Sequence, residues 1–217
     1  MNFIGKVIRG DDFRKTRFHD EKGNIIDLSG LPSIPKGFFS FIIFKLFGYR
    51  QFLPWISYNA IDRIENILET SSNVLEFGSG MSTIWFAERY RFVHSIEHDE
   101  VWHRRVSEDL KKRKLTNVRY DLRTDTDYAD LAEYDEPIFD FCIVDGIKRL
   151  QCVMSAIPTI KSGGFIFLDN SDVGEPERRQ AEAIILAAAD ERRGEVEYFV
   201  DFAPTQIHAN QGMLARL

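Results

Sequence analysis

Residues 73–83 read Asn-Val-Leu-Glu-Phe-Gly-Ser-Gly-Met-Ser-Thr: an apolar run with one acid, two glycines, then hydroxyls that open a helical pattern. Such a stretch predicts the first strand, turn and helix of a nucleotide-binding α/β unit. Gly78 and Gly80 lack a Cβ, which lets the backbone turn sharply and a ligand come close. A helix beginning near Met81 presents free N–H groups to an anion, and a carboxylate or a phosphate would suit it equally.

Two details separate those ligands. A dinucleotide fingerprint calls for a third glycine at position 83, where helix and strand pack closely, and Thr83 stands there instead. Glu76 falls at the carboxyl end of the strand facing the ligand, where it suits a cationic amine better than a pyrophosphate. Glu97 follows Gly78 by 19 residues, at the end of a second short apolar run. An acid there accepts from both hydroxyls of a ribose diol.

The acid, spacer and Gly-x-Gly of residues 76–80 resemble the first motif of the Class I S-adenosylmethionine-dependent methyltransferases. The resemblance implies that Gly78, Ser79 and Gly80 cradle the methionine part of that cofactor, with Ser82 and Thr83 near its carboxylate. It also implies that Glu97 holds the ribose and that His98 packs on the adenine face. His98 as a partly exposed loop residue is the other reading.

The rest of the chain alternates apolar strands with helical patterns. Ser57 caps a helix in which Ala60, Ile61, Ile64, Ile67 and Leu68 recur at helical spacing. Strands are expected at 92–97, 117–122, 138–144 and 165–168, and helices at 81–91, 99–114 and 150–160, with an acidic helix-like piece at 129–137 and a turn at 161–164. Trp102 is placed in the core, and Asp125 is a candidate partner for the adenine amine. Pro176 opens a further helix that stops at Gly194, and 196–202 and 211–217 are two terminal strands. The alternation predicts a doubly wound, mostly parallel, seven-stranded Rossmann-like sheet. The resemblance implies that its last two strands form an antiparallel hairpin. Ligands of such sheets bind beyond the strand ends, where Glu76, Glu97, Asp145 and Asp169 fall.

Two domains follow: an extension over 1–56 and a methyltransferase-like domain over 57–217. Residues 1–36 read as an irregular lead-in or a small hairpin. Residues 37–53 are the most apolar stretch, yet Lys45 and Arg50 interrupt it well short of the ~20 apolar residues a spanning helix needs. Pro54 ends any helix there. The stretch is a helix packed on the core, a lid over the substrate pocket, or an interfacial anchor with its aromatics among lipid headgroups.

Asp145, Lys148, Asp169 and Asn170 form a second constellation. They resemble the metal-dependent catechol and caffeoyl-CoA O-methyltransferases, which carry Asp-x-x-Lys after the fourth strand and Asp-Asn after the fifth. That likeness implies a Mg²⁺ held by Asp145, Asp169 and Asn170, with Lys148 as proton acceptor or oxyanion partner. Arg149 is a candidate for holding an anionic substrate. In the alternative reading, Asp145 merely faces cofactor or substrate, Asp169-Asn170 caps a loop and Lys148 is solvated.

A formal net charge of −6 argues against broad contact with a nucleic-acid backbone. Cys142 and Cys152 read as buried thiols of a cytoplasmic protein. The expected activity is S-adenosylmethionine-dependent methyl transfer to a small-molecule or glycan-like acceptor, at oxygen, with peripheral membrane contact through residues 38–52 as a further option. The rivals are a non-catalytic protein docking through that stretch and an NAD-dependent oxidoreductase.

Overall fold

The run Asn73–Phe77 forms β1, buried at every position. β2 (Phe92–Glu97) and β4 (Phe139–Val144) lie parallel on either side of it. The computed structural model describes residues 9–26 and 28–217. With β3 (Val118–Leu122), β5 (Ile160–Asp169), β6 (Val196–Phe202) and β7 (Ala209–Arg216), the described residues give a sheet ordered β3-β2-β1-β4-β5-β7-β6. Only β7 breaks the parallel run, pairing antiparallel with both β5 and β6. The fold is the expected doubly wound sheet with a C-terminal hairpin. Its strand order reverses between β1 and β4, which opens a crevice beyond their carboxyl ends.

Both faces of the central strands are apolar, and period-two alternation sends their side chains to different cores. Val74, Phe141, Ile143 and Phe167 pack under α2 (Tyr58–Ile67), α3 (Met81–Ala87) and α4 (Glu100–Arg113). Leu75, Phe77, Cys142, Val144 and Leu168 pack under α5 (Arg149–Ala156) and α6 (Pro176–Glu191). The caps follow the sequence: Ser57 Oγ accepts from Ala60 N at 3.1 Å, Asp99 Oδ1 from Trp102 N at 2.7 Å, and Pro176 occupies the first turn of α6. Both cysteines are buried and free.

Three local expectations are corrected. Residues 129–137 form turns, because Arg123 bonds the Asp130 carbonyl and Glu133, and Asp130 Oδ1 takes the Ala132 N–H that a helix would use. The turn expected at 161–164 lies inside β5, whose pairing with β4 shifts register between Phe139 and Phe141. Gly163 at φ +79° absorbs that irregularity. The helix expected over 81–91 ends at Ala87.

The apolar stretch near the amino terminus forms α1 (Ser33–Phe47), which stops at Gly48, left-handed at φ 64°, well before Pro54. Its packing is inverted relative to an ordinary amphipathic helix. Ser33, Gly37 and Ser40 face inward, while Phe39, Ile42 and Leu46 face out. Ser33 Oγ accepts from Phe202 N at 3.2 Å and Ser40 Oγ from Thr205 N at 2.9 Å, so the small face hydrogen-bonds to the end of β6 and the loop after it. Before α1, the lead-in makes two isolated antiparallel bridges, Arg9 with Thr16 and His19 with Ile25.

A Cβ on Gly37 would lie 3.0 Å from Phe202. Gly37→Val therefore overpacks the α1–β6 contact and is expected to cost about 1–3 kcal/mol in urea denaturation. A wild-type midpoint would show that α1 does not rest on β6 through this face.

Candidate functional site

The crevice is built on two loops that touch. Gly78 leaves β1 at φ +91°, and a Cβ there would meet Gly146 N at 2.6 Å. A Cβ on Gly146 would in turn run into the buried Tyr128 hydroxyl. Both positions admit only glycine, Gly146 for the steric reason that Tyr128 leaves no room for a side chain. Gly80 differs, because its backbone is extended and a Cβ there would have room. Its part is to leave open the floor of a cavity of about 130 Å³ bordered by Trp55, Ser82 and Trp102. This opens beside a larger cleft of about 560 Å³ whose wall includes Glu97, His98, Gly146 and Ile147. Ser79, Trp102 and Asp145 line both.

Glu97, 3% exposed, is fixed by its neighbours before any ligand arrives. Oε2 accepts from Ser79 N at 3.1 Å and Ser79 Oγ at 2.7 Å, and Oε1 from the amides of His98 and Asp99 at 2.8 and 2.9 Å. Since the Ser79 hydroxyl gives its proton to Glu97, Tyr120 Oη must donate to Ser79 Oγ at 2.6 Å. His98 keeps 41% of its side chain exposed, with Nδ1 3.0 Å from Glu97 and its ring edge-on to Tyr128. Trp102, expected in the core, lines the cleft instead, its indole N–H donating to Ser79 O at 2.7 Å. Sequence reasoning missed Trp102, Tyr120 and Trp55. The one available signal was that Asp99 caps α4 and so aims its first turn at the β1 turn.

Glu76 and Thr83 do not reach the cleft as expected. Glu76 is fully buried beneath the turn, where Oε2 accepts from Thr83 Oγ1 and Ser95 Oγ, both at 2.5 Å. Thr83 Oγ1 also accepts from Gly80 N at 3.0 Å, so the pair clamps the turn from below. Glu76 Oε1 makes no hydrogen bond of ordinary geometry with the described residues. Burial pushes its pKa up from 4.5 to about 7, against the lowering effect of the Ser82, Ser95 and Thr83 hydroxyls. Ser82 is half-buried and lines the smaller cavity.

The second constellation is organised around Arg149, which is 7% exposed. Its guanidinium bonds Gly146 O at 3.0 Å, Asp145 Oδ1 at 3.0 Å, Asn170 Oδ1 at 3.4 Å and the Asp169 carbonyl. Two of the groups expected to ligate Mg²⁺, Asp145 Oδ1 and Asn170 Oδ1, are therefore bridged by an organic cation, and the third, the Asp169 carboxyl, is paired with Asp145, so this donor set does not fit a metal. Arg149 itself, expected on an anionic substrate, is spent inside the fold. Asp145 and Asp169 are hydrogen-bonded to each other, and burial together with the neighbouring carboxyl raises Asp169 well above the usual carboxylate range. Asp145 keeps a third of its side chain exposed at the cleft wall, so Asp169 is the member that holds the shared proton. Lys148 departs from its expected place: it is left-handed at φ 48°, lines neither cavity, and donates to the Asp125 carbonyl. Asp125 also lies outside both linings.

The Glu76 proton has a consequence for stability. The unfolded chain loses it near pH 4.5 and the folded chain near 7. Its stabilising contribution is complete below pH 4.5, declines through that window and is gone above 7, on the order of 3 kcal/mol in all. Glu76→Gln should abolish that decline, read as urea midpoints between pH 5 and 8. An unchanged pH profile would remove Glu76 as its source.

No protein-family model and no curated protein matches the sequence. Solved structures do. The chain is similar to a candidate O-methyltransferase from Klebsiella pneumoniae, at 17% identity and TM-score 0.64, over 87% of this chain and 99% of the other. It is also similar to an O-methyltransferase from Bacillus cereus in complex with SAH, at 20% identity and TM-score 0.57, over 69% and 75%. An rRNA methylase from Streptococcus thermophilus aligns at 17% identity and TM-score 0.54, over 71% and 91%. The chain has the fold of the Class I S-adenosylmethionine-dependent methyltransferases.

Proposed function

We propose that the chain is an S-adenosylmethionine-dependent methyltransferase acting at oxygen on a small-molecule or glycan-like acceptor. The observation that carries this reading is Glu97, a carboxylate pre-oriented by four donors on the wall of the larger cleft, one strand over from the Gly78 turn. An acid so held can accept from a ribose diol without reorganising. His98 and Ile147 offer flanking surfaces to a purine, and Gly80 and Ser82 border the smaller cavity where the amino-acid end would sit. The complex with SAH recorded for the B. cereus protein supports the same cofactor class.

S-Adenosylmethionine, when bound, supplies a methyl group already activated on a sulfonium. What remains for the protein is largely positioning. Asp145 stands on the wall common to both cavities, and Asp169 holds the proton of the pair. Asp145, ion-paired with Arg149, is the carboxyl placed there to take the proton of an acceptor hydroxyl as its oxygen is alkylated. Lys148, tied to the loop at Asp125, would act by holding that loop over the cleft. The Mg²⁺-assisted variant is the weaker reading because Arg149 already bridges Asp145 and Asn170.

Calorimetric titration with S-adenosylmethionine, and with NADH in parallel, tests the cofactor: saturable binding of the first alone is expected. Glu97→Ala should weaken it by about 1.5–3 kcal/mol, the worth of hydrogen bonds to a charged group. Unchanged affinity would take Glu97 out of the site. With an acceptor in hand, turnover should be the same in EDTA and in added Mg²⁺. Loss of activity in EDTA would restore the metal.

A further inference from the structure

The outward face of α1 is left uncovered by the other described residues. Phe39, Ile42 and Leu46 recur at i, i+3 and i+7 and are 64%, 49% and 69% exposed, and Phe47 at 77% and Tyr49 at 53% continue the patch past the helix end. Their exposure is imposed by the inward face: Ser33, Gly37 and Ser40 fit closely against β6, so the bulky residues have nowhere to go but outward. No helix among the described residues is long and apolar enough to cross a membrane. A 15-residue helix held sideways on a folded domain can only lie along a surface.

Charge identifies that surface. No Asp or Glu occurs between Asp27 and Asp62, whereas Lys36, Lys45 and Arg50 do, in a chain whose net charge is −6. Lys45 Nζ lies over the rings of Phe41 and Phe44 at 5.6 and 5.9 Å, and the Arg50 guanidinium lies 4.6 Å from the Phe44 ring centre. Lys36 and Lys45, both exposed, thus stand beside the apolar stripe, as snorkelling side chains do at a lipid headgroup layer, whereas Arg50 turns toward the rings of Trp55 and Trp102 at 5.7 and 5.8 Å. Pairing with a second copy of the same face would bring these cations together.

We propose that α1 is a docking surface for an anionic phospholipid bilayer, with Phe39, Ile42, Leu46 and Phe47 entering the headgroup–acyl boundary and Lys36 and Lys45 meeting the phosphates. The acids Asp62 and Glu65 line, with Arg89, the groove that Lys36 and Phe39 share with α2, and the rest of the stripe, Ile42, Leu46 and Phe47, lies outside that groove. Docking does not involve the Glu97 cleft, so it is measured without turnover.

The test is cosedimentation of the full chain with phosphatidylcholine vesicles and with vesicles containing about 30% phosphatidylserine. Binding is expected only to the anionic vesicles and should be lost in 0.5 M NaCl. Phe39→Ser/Leu46→Ser/Phe47→Ser should abolish it while keeping the wild-type circular dichroism. Lys45→Gln should lower the partition coefficient about fivefold, the effect of one cation near an anionic surface. Any of three results would overturn the proposal: no pelleting of the wild-type chain with anionic vesicles, equal pelleting with neutral ones, or unchanged pelleting of the triple variant. A wild-type dimer in light scattering that the triple variant abolishes would assign the face to a second copy instead.

Discussion

The contact between Gly78 and Gly146 governs the geometry of the cleft. Where β1 and β4 end side by side, their two loops approach closely enough that a single Cβ on either one would collide. The buried Tyr128 presses on Gly146 from the other side and fixes its place. With the loops locked together, the turn after Gly78 must rise over the sheet. Ser79 then meets Glu97 across β2, and the indole of Trp102 closes on the Ser79 carbonyl. The cleft is a consequence of strand order and two missing side chains.

The acids at the four strand ends divide into two kinds of work. Glu97 and Asp145 line the cleft, whereas Glu76 and Asp169, both buried, line neither cavity. Each buried acid steadies an exposed element: Glu76 clamps the turn through Thr83, and Asp169 shares a proton with Asp145. Burial penalises charge, so the acids beneath the cleft are pushed toward the neutral form. Arg149 completes this arrangement. Its buried charge is matched by Asp145, and its remaining donors by backbone carbonyls and Asn170.

The amino-terminal helix shows a different constraint. A helix normally buries its largest apolar side chains, since area removed from water is what stabilises packing. In α1 the close approach to β6 leaves room only for Ser33, Gly37 and Ser40, and two serine hydroxyls take backbone amides at and beyond the sheet edge. Edge amides left unpaired would otherwise be costly. The aromatic face is therefore free for another use.

Much of this was legible in the linear order of residues. Alternation of apolar runs with helical spacing dictated the doubly wound sheet, the two glycines marked the turn, and the interval from Gly78 to Glu97 put an acid at the end of the second strand, because these depend on local backbone geometry and period. The roles of side chains were less legible. Whether Glu76 faced the cleft or lay under it, whether Trp102 was core or wall, and whether Arg149 or a metal neutralised Asp145 and Asn170 all turned on which atoms from distant segments came within hydrogen-bonding reach. The sequence by itself determined the elements and their order, since propensity and periodicity act over a few residues. Which acids line the cleft and which face of α1 turns outward came from the tertiary fold, since burial and contact are properties of packed neighbours.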